Sequence, residues 1–594
     1  MRGAANASRR AVQYLLARAL GTPTHGSAMT VSRPHLRSST LFRAAREPDS
    51  LRASRRAREL FRGLAGMMIA VLLAPAAARG AQMLPADGAR DVSRVLPLQL
   101  RFESHAQARA AARAGIELLT PVGSPVPGVL RIRGADVAFE ASAPLAACST
   151  YTALVRAEGL RSRFTTSCSS WTPPEQIDDR RSSRRPDRGA DDVQLASAGV
   201  GGAVAAWFQS NGRRGAIEAS SLQPDTGAWG APRAIDLRDG GGATLPVLAA
   251  LADGRVMAAW VQDVHGHAAV LARVLGAGAA PQRLDDPALR HGPAQVQLAA
   301  DASGHAMAVW QQPGPRHGTL WASHWDGRLA RWSRPRALDP LGPADYAPVV
   351  VGAGDDRFVA AWERGPVGHE SIAASRWLQG GWSAPRRLSP AGQRAERPLL
   401  ALDGDGSTVG AAWIQGDGPA RRVALRRLRE QDLGGDPPAT PQAPGMRGPA
   451  LSAALVFDPA GNLAAAWEQQ AGPEPSSPDV IEATRWMRAA AAPASAARLD
   501  PSGQRSAGNP VLVSDPAGNL VCAWYQDGTQ GLQVLAARFD ASAAHWQPAL
   551  LLSDTRSTVQ ASFPALSVDA AGSVTAAWQQ FNDWRNIIVA SRLP

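Results

Sequence analysis

Eight tryptophans recur through the chain at a nearly constant interval. Trp207, Trp260, Trp310, Trp362, Trp413, Trp467, Trp524 and Trp578 are separated by 53, 50, 52, 51, 54, 57 and 54 residues. A period of this size marks a solenoid, a propeller or an array. Each unit carries the same signals in the same order. An apolar strand leads into a turn such as Asp458-Pro-Ala-Gly461, Asp515-Pro-Ala-Gly518 or Asp569-Ala-Ala-Gly572, and a second strand ends in two small residues and Trp. A third strand follows, as in Ile372-Ala-Ala-Ser-Arg-Trp377 or Ile588-Val-Ala-Ser-Arg-Leu593, then a fourth, as in Trp382-Ser-Ala-Pro-Arg-Arg-Leu388. Four strands per period predict a propeller blade.

The ends of the repeat region predict how such a ring would close. The last repeat stops after its third strand, whereas Trp171-Thr-Pro-Pro-Glu-Gln-Ile177 reads as a fourth strand with no repeat before it. Joining the two predicts eight four-stranded blades over residues 171–594, with degenerate fourth strands near 281, 435 and 497. A ring sealed by its N-terminal strand has no free sheet edge to invite aggregation.

Charge excludes one class of partner. The first eighty residues hold fourteen arginines against Glu47, Asp49 and Glu59, while from residue 81 onward 49 arginines face 48 acids. Of the net charge of +12, +11 therefore lies in the leader, and the body lacks the basic footprint that nucleic-acid binding needs. The apolar run Leu64-Ala-Gly-Met-Met-Ile-Ala-Val-Leu-Leu73 follows this basic flank, and small residues through Ala78 and Ala81 offer cleavage points. Residues 1–81 thus read as a basic leader and signal peptide, too short in its apolar part to span a bilayer. The leader is long for this purpose, which points to a translation start near residue 51. Ser54-Arg55-Arg56 suits either twin-arginine export or an ordinary basic flank. A periplasmic or secreted bacterial protein is expected, with no membrane span in the mature chain, and a monomer.

Between leader and repeats, residues 82–170 alternate apolar positions at Leu98, Leu100 and Phe102, at Val129, Ile132, Val137 and Phe139, and from Thr152 to Val155. Short strands divided by Gly and Pro predict an all-β sandwich. The stretch Pro85-Ala-Asp-Gly-Ala-Arg-Asp-Val92, the Leu-x-Phe strand, Val137-x-Phe139, Thr150-Tyr151 and Phe164-Thr-Thr166 resemble the bacterial Ig-like domain of S-layer-protein type. That resemblance implies a spacer or adhesion module without catalytic residues. Cys148 and Cys168 flank a hairpin turning near Gly159, which in an oxidising compartment predicts a cross-strand disulfide. Cys522 stands in a repeat strand where other repeats have Ala, and reads as a small buried residue.

Two residues after the repeating Trp stands Gln209, Gln262, Gln312, Gln415, Gln469, Gln526 or Gln580, with Arg364 in the remaining repeat. Period-2 geometry places Trp and Gln on one face of the strand where it leaves the sheet. The ring of amides either recognises hydroxyl and peptide groups of a ligand or satisfies loop backbone. His267, His317 and His369 each lie seven residues after their Trp, in successive repeats. They form either a recognition patch or solvated loops. A zinc site would need loops to bend together, since facing sheets lie ~10 Å apart and zinc holds nitrogen at ~2.0–2.1 Å. No metal and no cofactor is expected.

The repeats loosely resemble sialidase-like and related Trp-rich propellers of secreted bacterial proteins, without their Ser-x-Asp-x-Gly-x-x-Trp box. A sialidase-like site implies an arginine cluster with an activated Tyr, and Tyr346 is the one candidate for that role. No serine-hydrolase elbow, zinc signature or phosphate loop occurs. The expectation is an exported non-enzymatic binding or scaffold protein that recognises a glycan or envelope protein on one propeller face. The alternative is a sialidase-like, glycan-active hydrolase.

Overall fold

The computed structural model describes residues 82–594 except 91, 93–97, 143–144, 167–169, 181–184, 277, 290–291, 314–317, 340–344, 379, 443–444, 502–504, 529–530 and 554–559. The leader, Cys168 and His317 lie outside the described residues. No helix among the described residues is long and apolar enough to cross a membrane.

Residues 82–166 form two antiparallel sheets. One orders Gln82–Leu84, Leu98–Arg101, Asp136–Ala141 and Gly128–Arg133; the other orders Ile116–Leu119, Thr150–Val155 and Leu160–Thr165. Leu98, Leu100, Phe102, Val137, Phe139, Tyr151 and Phe164 meet between them. Val129 and Ile132 lie in a strand as expected, 57% and 37% exposed: Val129 pairs with Glu140 on the outer face, and Ile132 faces Val137 at the sheet edge. The helix His105–Ala114 was not expected. Its run is rich in Ala and Arg, so it carries high helix propensity but no alternation of large apolar residues to reveal it. Ser104 caps it by accepting the Gln107 N–H, and only the small faces of Ala108 and Ala111 are buried.

Among the described residues, eight further antiparallel sheets follow in series between Ala190 and Leu593. Numbered one to eight in chain order, each packs its first strand against the first strand of the next, and Ala561–Val568 packs back on Ala190–Ser197. This all-β arrangement of meander sheets is a β-propeller. The last sheet, Ala561–Val568, Val574–Phe581 and Asn586–Leu593, receives Glu175–Gln176 as its fourth strand. Thr172 N–H to Arg592 O (2.8 Å) and Ile177 N–H to Ile588 O (2.9 Å) extend that pairing. Sheet five carries the degenerate fourth strand expected near 435. Its fourth strand is reduced to bridges at Leu428↔Gly435 and Leu425↔Ala439, because Pro437, Pro438 and Pro441 supply no N–H to a ladder.

Small residues before each Trp let the sheets approach, and the indole fills the space that remains. Trp260 of sheet two sits among Ala206, Ile217 and Ala219 of sheet one; at the closing seam Trp207 sits among Ile177, Ala577, Ile588 and Ala590. All eight repeating indoles are fully buried. Losing such a side chain costs about 3–5 kcal/mol.

The sandwich stands against the hairpins of sheets six to eight. Ala517 of the Asp515 hairpin is buried in the sandwich core beside Leu145 and Ala146. A Cβ on Gly518, which has φ +85°, would fall 2.4 Å from Val122 Cγ1, so only glycine fits. Asn519 Nδ2 donates to Ser149 Oγ (2.9 Å), and Arg538 donates to Ala147 O (2.8 Å). A cleft of about 80 Å³ remains at this joint, with Cys148, Trp171, Arg538 and Leu593 in its wall.

Candidate binding face

The first and third strands of every sheet run from the second-to-third-strand turns towards the Asp-x-x-Gly hairpins, so those two sets of loops occupy opposite ends of the ring. At the turn end the expected Gln residues prove to be parts of the blades. Trp207, Trp260, Trp310, Trp413, Trp467, Trp524 and Trp578 each donate the indole N–H to the Oε1 of the Gln two positions on, at 2.9–3.3 Å. Several amides also donate onward: Gln209 to Arg188 O (2.7 Å), Gln262 to Leu237 O (2.8 Å) and Gln469 to Gly448 O. Gln209, Gln262, Gln312, Gln469, Gln526 and Gln580 are buried and Gln415 half-buried. In sheet four Trp362 donates instead to Asp345 Oδ1 (3.0 Å), and Arg364 pairs with Asp339 (2.8 Å). The side chain that leaves the sheet curls back over its own indole instead of standing in solvent.

His267 and His369 are exposed on the turns of sheets two and four. Sheet three stands between them. Among the described residues no group of three or more His, Cys, Asp or Glu is arranged to hold a metal ion.

A second ring of residues escaped the sequence reading. Directly after the fourth strands come Ile177-Asp178, Ile235-Asp236, Leu284-Asp285, Leu338-Asp339, Leu388-Ser389, Leu499-Asp500 and Leu552-Ser553, all buried. Their side chains accept third-strand N–H groups, as in Val270 to Asp285 (3.0 Å), Ile372 to Ser389 (3.0 Å) and Ile481 to Asp500 (2.9 Å). The apolar-then-Asp/Ser pattern was visible in the sequence at a period near fifty, but it sits in the shortest strands. Several of these carboxylates hold arginines: Arg214 on Asp236 (2.6 Å), Arg283 on Asp285 (2.8 Å) and Arg585 on Asp178 (2.6 Å).

Around the axis, seven first strands bulge near their start and place Asp192, Leu245, Gln295, Ala347, Arg397, Asn509 and Phe563 at positive φ. Such strain costs of order 1–3 kcal/mol per residue. Side chains of the preceding sheet meet the backbone there: Gln295 Oε1 accepts Ala347 N–H (3.1 Å), Glu363 Oε1 accepts Arg397 N–H (2.6 Å) and Glu468 Oε2 accepts Asn509 N–H (3.1 Å). Burial pushes Glu363 up to about 7, with Glu396 and Glu370 adding to the rise against Arg397. Burial raises Asp345 to about 7, helped by Asp339, and Asp479 to about 7, helped by Glu468 and Asp527. Glu218 also rises to about 7, through burial and then Asp179, Asp178 and Asp236.

Tyr346 lies in this region. Arg394 bridges Glu370 and Glu396, each at 2.7 Å, and Arg421 pairs with Glu396. The Tyr346 hydroxyl donates to Gly365 O (3.1 Å). Burial, then Glu370 and Glu363, drive this phenol above its ordinary range. The phenol is therefore neutral at rest, and a nucleophilic role would need a neighbouring base to take its proton; Glu370 is the carboxylate bonded to it.

No protein-family model matches the chain, and no curated protein matches it. Similar solved structures include the Dos1 propeller (9% identity, TM-score 0.42, covering 70% of this chain and 94% of that one). An ulvan lyase of a polysaccharide lyase family is also similar (11%, TM-score 0.40, 69% and 94%). So is a protein of unknown function from Dyadobacter fermentans (12%, TM-score 0.37, 71% and 98%). The Dos1 structure is a β-propeller.

Proposed function

We propose that this is an exported binding protein in which an Ig-like sandwich, residues 82–170, props an eight-bladed propeller, residues 171–594, whose turn face recognises a glycan or envelope protein without turning it over. In this reading the leader 1–81 directs the chain to the periplasm or beyond, and Cys148 bridges Cys168 across the hairpin at Gly159.

The observation that carries the reading is the state of Tyr346. Its hydroxyl is spent on Gly365 O inside the blade connection, while turn residues such as His267 and His369 are exposed for contact. His317 belongs to the same proposed face. The test is a glycan and envelope-protein binding screen on the mature chain, run beside a hydrolysis panel. Binding without turnover is the expected result. Turnover that disappears with Tyr346→Phe would establish the hydrolase alternative instead.

A further inference from the structure

Of the eighteen tryptophans in the chain, Trp584 is the exposed one among the described residues, 54% accessible. It stands on the second-to-third-strand turn of sheet eight, between Val574–Phe581 and Asn586–Leu593. Asn582 builds that turn by accepting the N–H groups of Trp584 (3.2 Å) and Arg585 (3.1 Å) on its Oδ1, while Asn582 N–H bonds Arg585 O (3.1 Å) and Asp583 takes φ +70°. The corresponding turn of sheet one is built in the same way. Asn211 Oδ1 accepts the N–H groups of Arg213 and Arg214, both at 2.9 Å, Asn211 N–H bonds Arg214 O (3.1 Å), and Gly212 takes φ +82°.

Each turn is then bolted down by its last residue. Arg214 pairs with buried Asp236 at 2.6 Å. Arg585 pairs with Asp178 at 2.6 Å, both fully buried, and donates to Arg188 O (2.9 Å) and Asp179 O (3.0 Å). Sheets eight and one are neighbours across the closing seam, where Asn586 Nδ2 also reaches Asp191 Oδ1 (2.7 Å). The position before each bolt is the one left over. Trp584 occupies it in sheet eight and exposed Arg213 in sheet one. Among the described residues, neither the indole nor the guanidinium has a hydrogen-bond, ion-pair or ring partner.

Two turns built alike on the neighbouring sheets eight and one thus each present an uncommitted side chain, an indole and a guanidinium, beside the closing seam. We propose that they form a subsite for an acidic glycan: Trp584 stacks on the apolar face of one sugar ring, and Arg213 pairs with a carboxylate or sulfate on a neighbouring unit. The subsite rests on the glycan-binding reading above and narrows it. A planar amphipathic ring with few torsions, preset on a clamped turn, loses little entropy when it takes a ligand. A guanidinium fork suits a planar anion. The other residues of its turn, Asn582, Asp583, Arg585 and Asn586, are polar, whereas a protein-binding hot spot sits in a wider apolar patch. Sugar hydroxyls suit that polar surround.

The test is binding of three oligosaccharides of equal length, one carboxylated (an oligogalacturonide), one sulfated and one neutral, to the full mature chain. Trp584→Ala and Arg213→Ala keep both Asn residues and both bolting arginines, so unchanged melting temperatures are expected. Trp584→Ala should weaken the acidic oligomers about tenfold or more. Arg213→Ala should weaken them about tenfold, erase their advantage over the neutral oligomer and remove the salt dependence. Arg213→Lys should restore part of it. The carboxylated and sulfated arms tell which anion is preferred. Acidic oligomers bound by Trp584→Ala as by the parent would overturn the subsite while leaving glycan binding intact. No binding of any of the three oligomers would overturn both. Loss of an envelope-protein contact in Trp584→Ala, with no sugar bound, would reassign the turn to protein docking and overturn the proposal.

Discussion

At the hairpin end of the ring, Asp458, Asp515 and Asp569 each accept two backbone N–H groups of their own turn and are nearly covered. Third-strand arginines then cover them, Arg485 on Asp458 at 2.5 Å and Arg592 on Asp569 at 3.2 Å, and the sandwich seals the Asp515 hairpin. At the opposite end the same economy holds the strands, with Gln under seven of the eight indoles and Asp or Ser under the third strands of seven sheets. There, however, the turn tips of sheets one and eight retain side chains that the fold does not use. The difference separates positions by what they have left over. A polar residue whose every atom is spent on backbone holds the scaffold, wherever it stands on the ring. Exposed, partnerless side chains on clamped turns are the ones available to a ligand.

The largest effect should come from the bolt at the seam. Arg585→Ala strands Asp178 as an uncompensated buried charge and should cost about 3–5 kcal/mol, read as a fall in the urea midpoint. Deleting residues 171–178 should also destabilise, because it removes both that carboxylate and the eighth sheet's outer strand. If either variant unfolds like the parent, the seam is not what holds the two ends of the chain together.

Next come the groups under the indoles and at the joint. Gln469→Ala leaves the Trp467 N–H buried without an acceptor, and should cost about 1–3 kcal/mol. Asn519→Ala removes a side chain that serves Ser149 and Asp515 together, and should cost a similar ~1–3 kcal/mol. Chemical denaturation resolves both. A neutral Gln469→Ala would return the amide ring to the pool of ligand-binding candidates.

A smaller effect depends on pH. Asp345 titrates near 7 in the folded chain, against about 3.9 when unfolded, so the folded state holds an extra proton between those values. Its contribution is complete below pH ~4 and is lost as pH rises through about 7. Glu218, Glu363 and Asp479 act in the same direction. Asp345→Asn keeps an oxygen for the Trp362 indole and should flatten this decline, by on the order of 1 kcal/mol at pH 8, seen by comparing urea midpoints at pH 5 and 8. The smallest effects belong to the tips: His267→Ala and His369→Ala should stay within ~0.5 kcal/mol of the parent in stability.

Much of the scaffold was legible because repetition multiplies a weak signal. One Ala-Ala-Trp run says little, but eight Trp at a common spacing, six of them in Ala-Ala-Trp, require a repeated packing solution, and the Trp171–Ile177 segment then has one natural place to pair. The helix His105–Ala114 was not legible by the same reading, since its buried face is made of alanines. The Gln residues illustrate a different limit. Alternation correctly put Trp and Gln on one face, but whether the amide reaches outward or folds back over the indole depends on a hydrogen bond that period-2 geometry does not specify.

The amino-acid sequence by itself determined the repeat, the strand order within a repeat and the burial of the indoles, because these follow from local alternation and from apolar side chains leaving water. Tertiary structure alone decided which polar residues remained free. Arg213 and Arg214 are adjacent and chemically alike, yet Asp236 takes one and leaves the other. Trp584 and Arg213 came onto adjoining sheets only when the eighth sheet closed on the first. Such pairings depend on distances across the ring, and no local pattern of residue types encodes them.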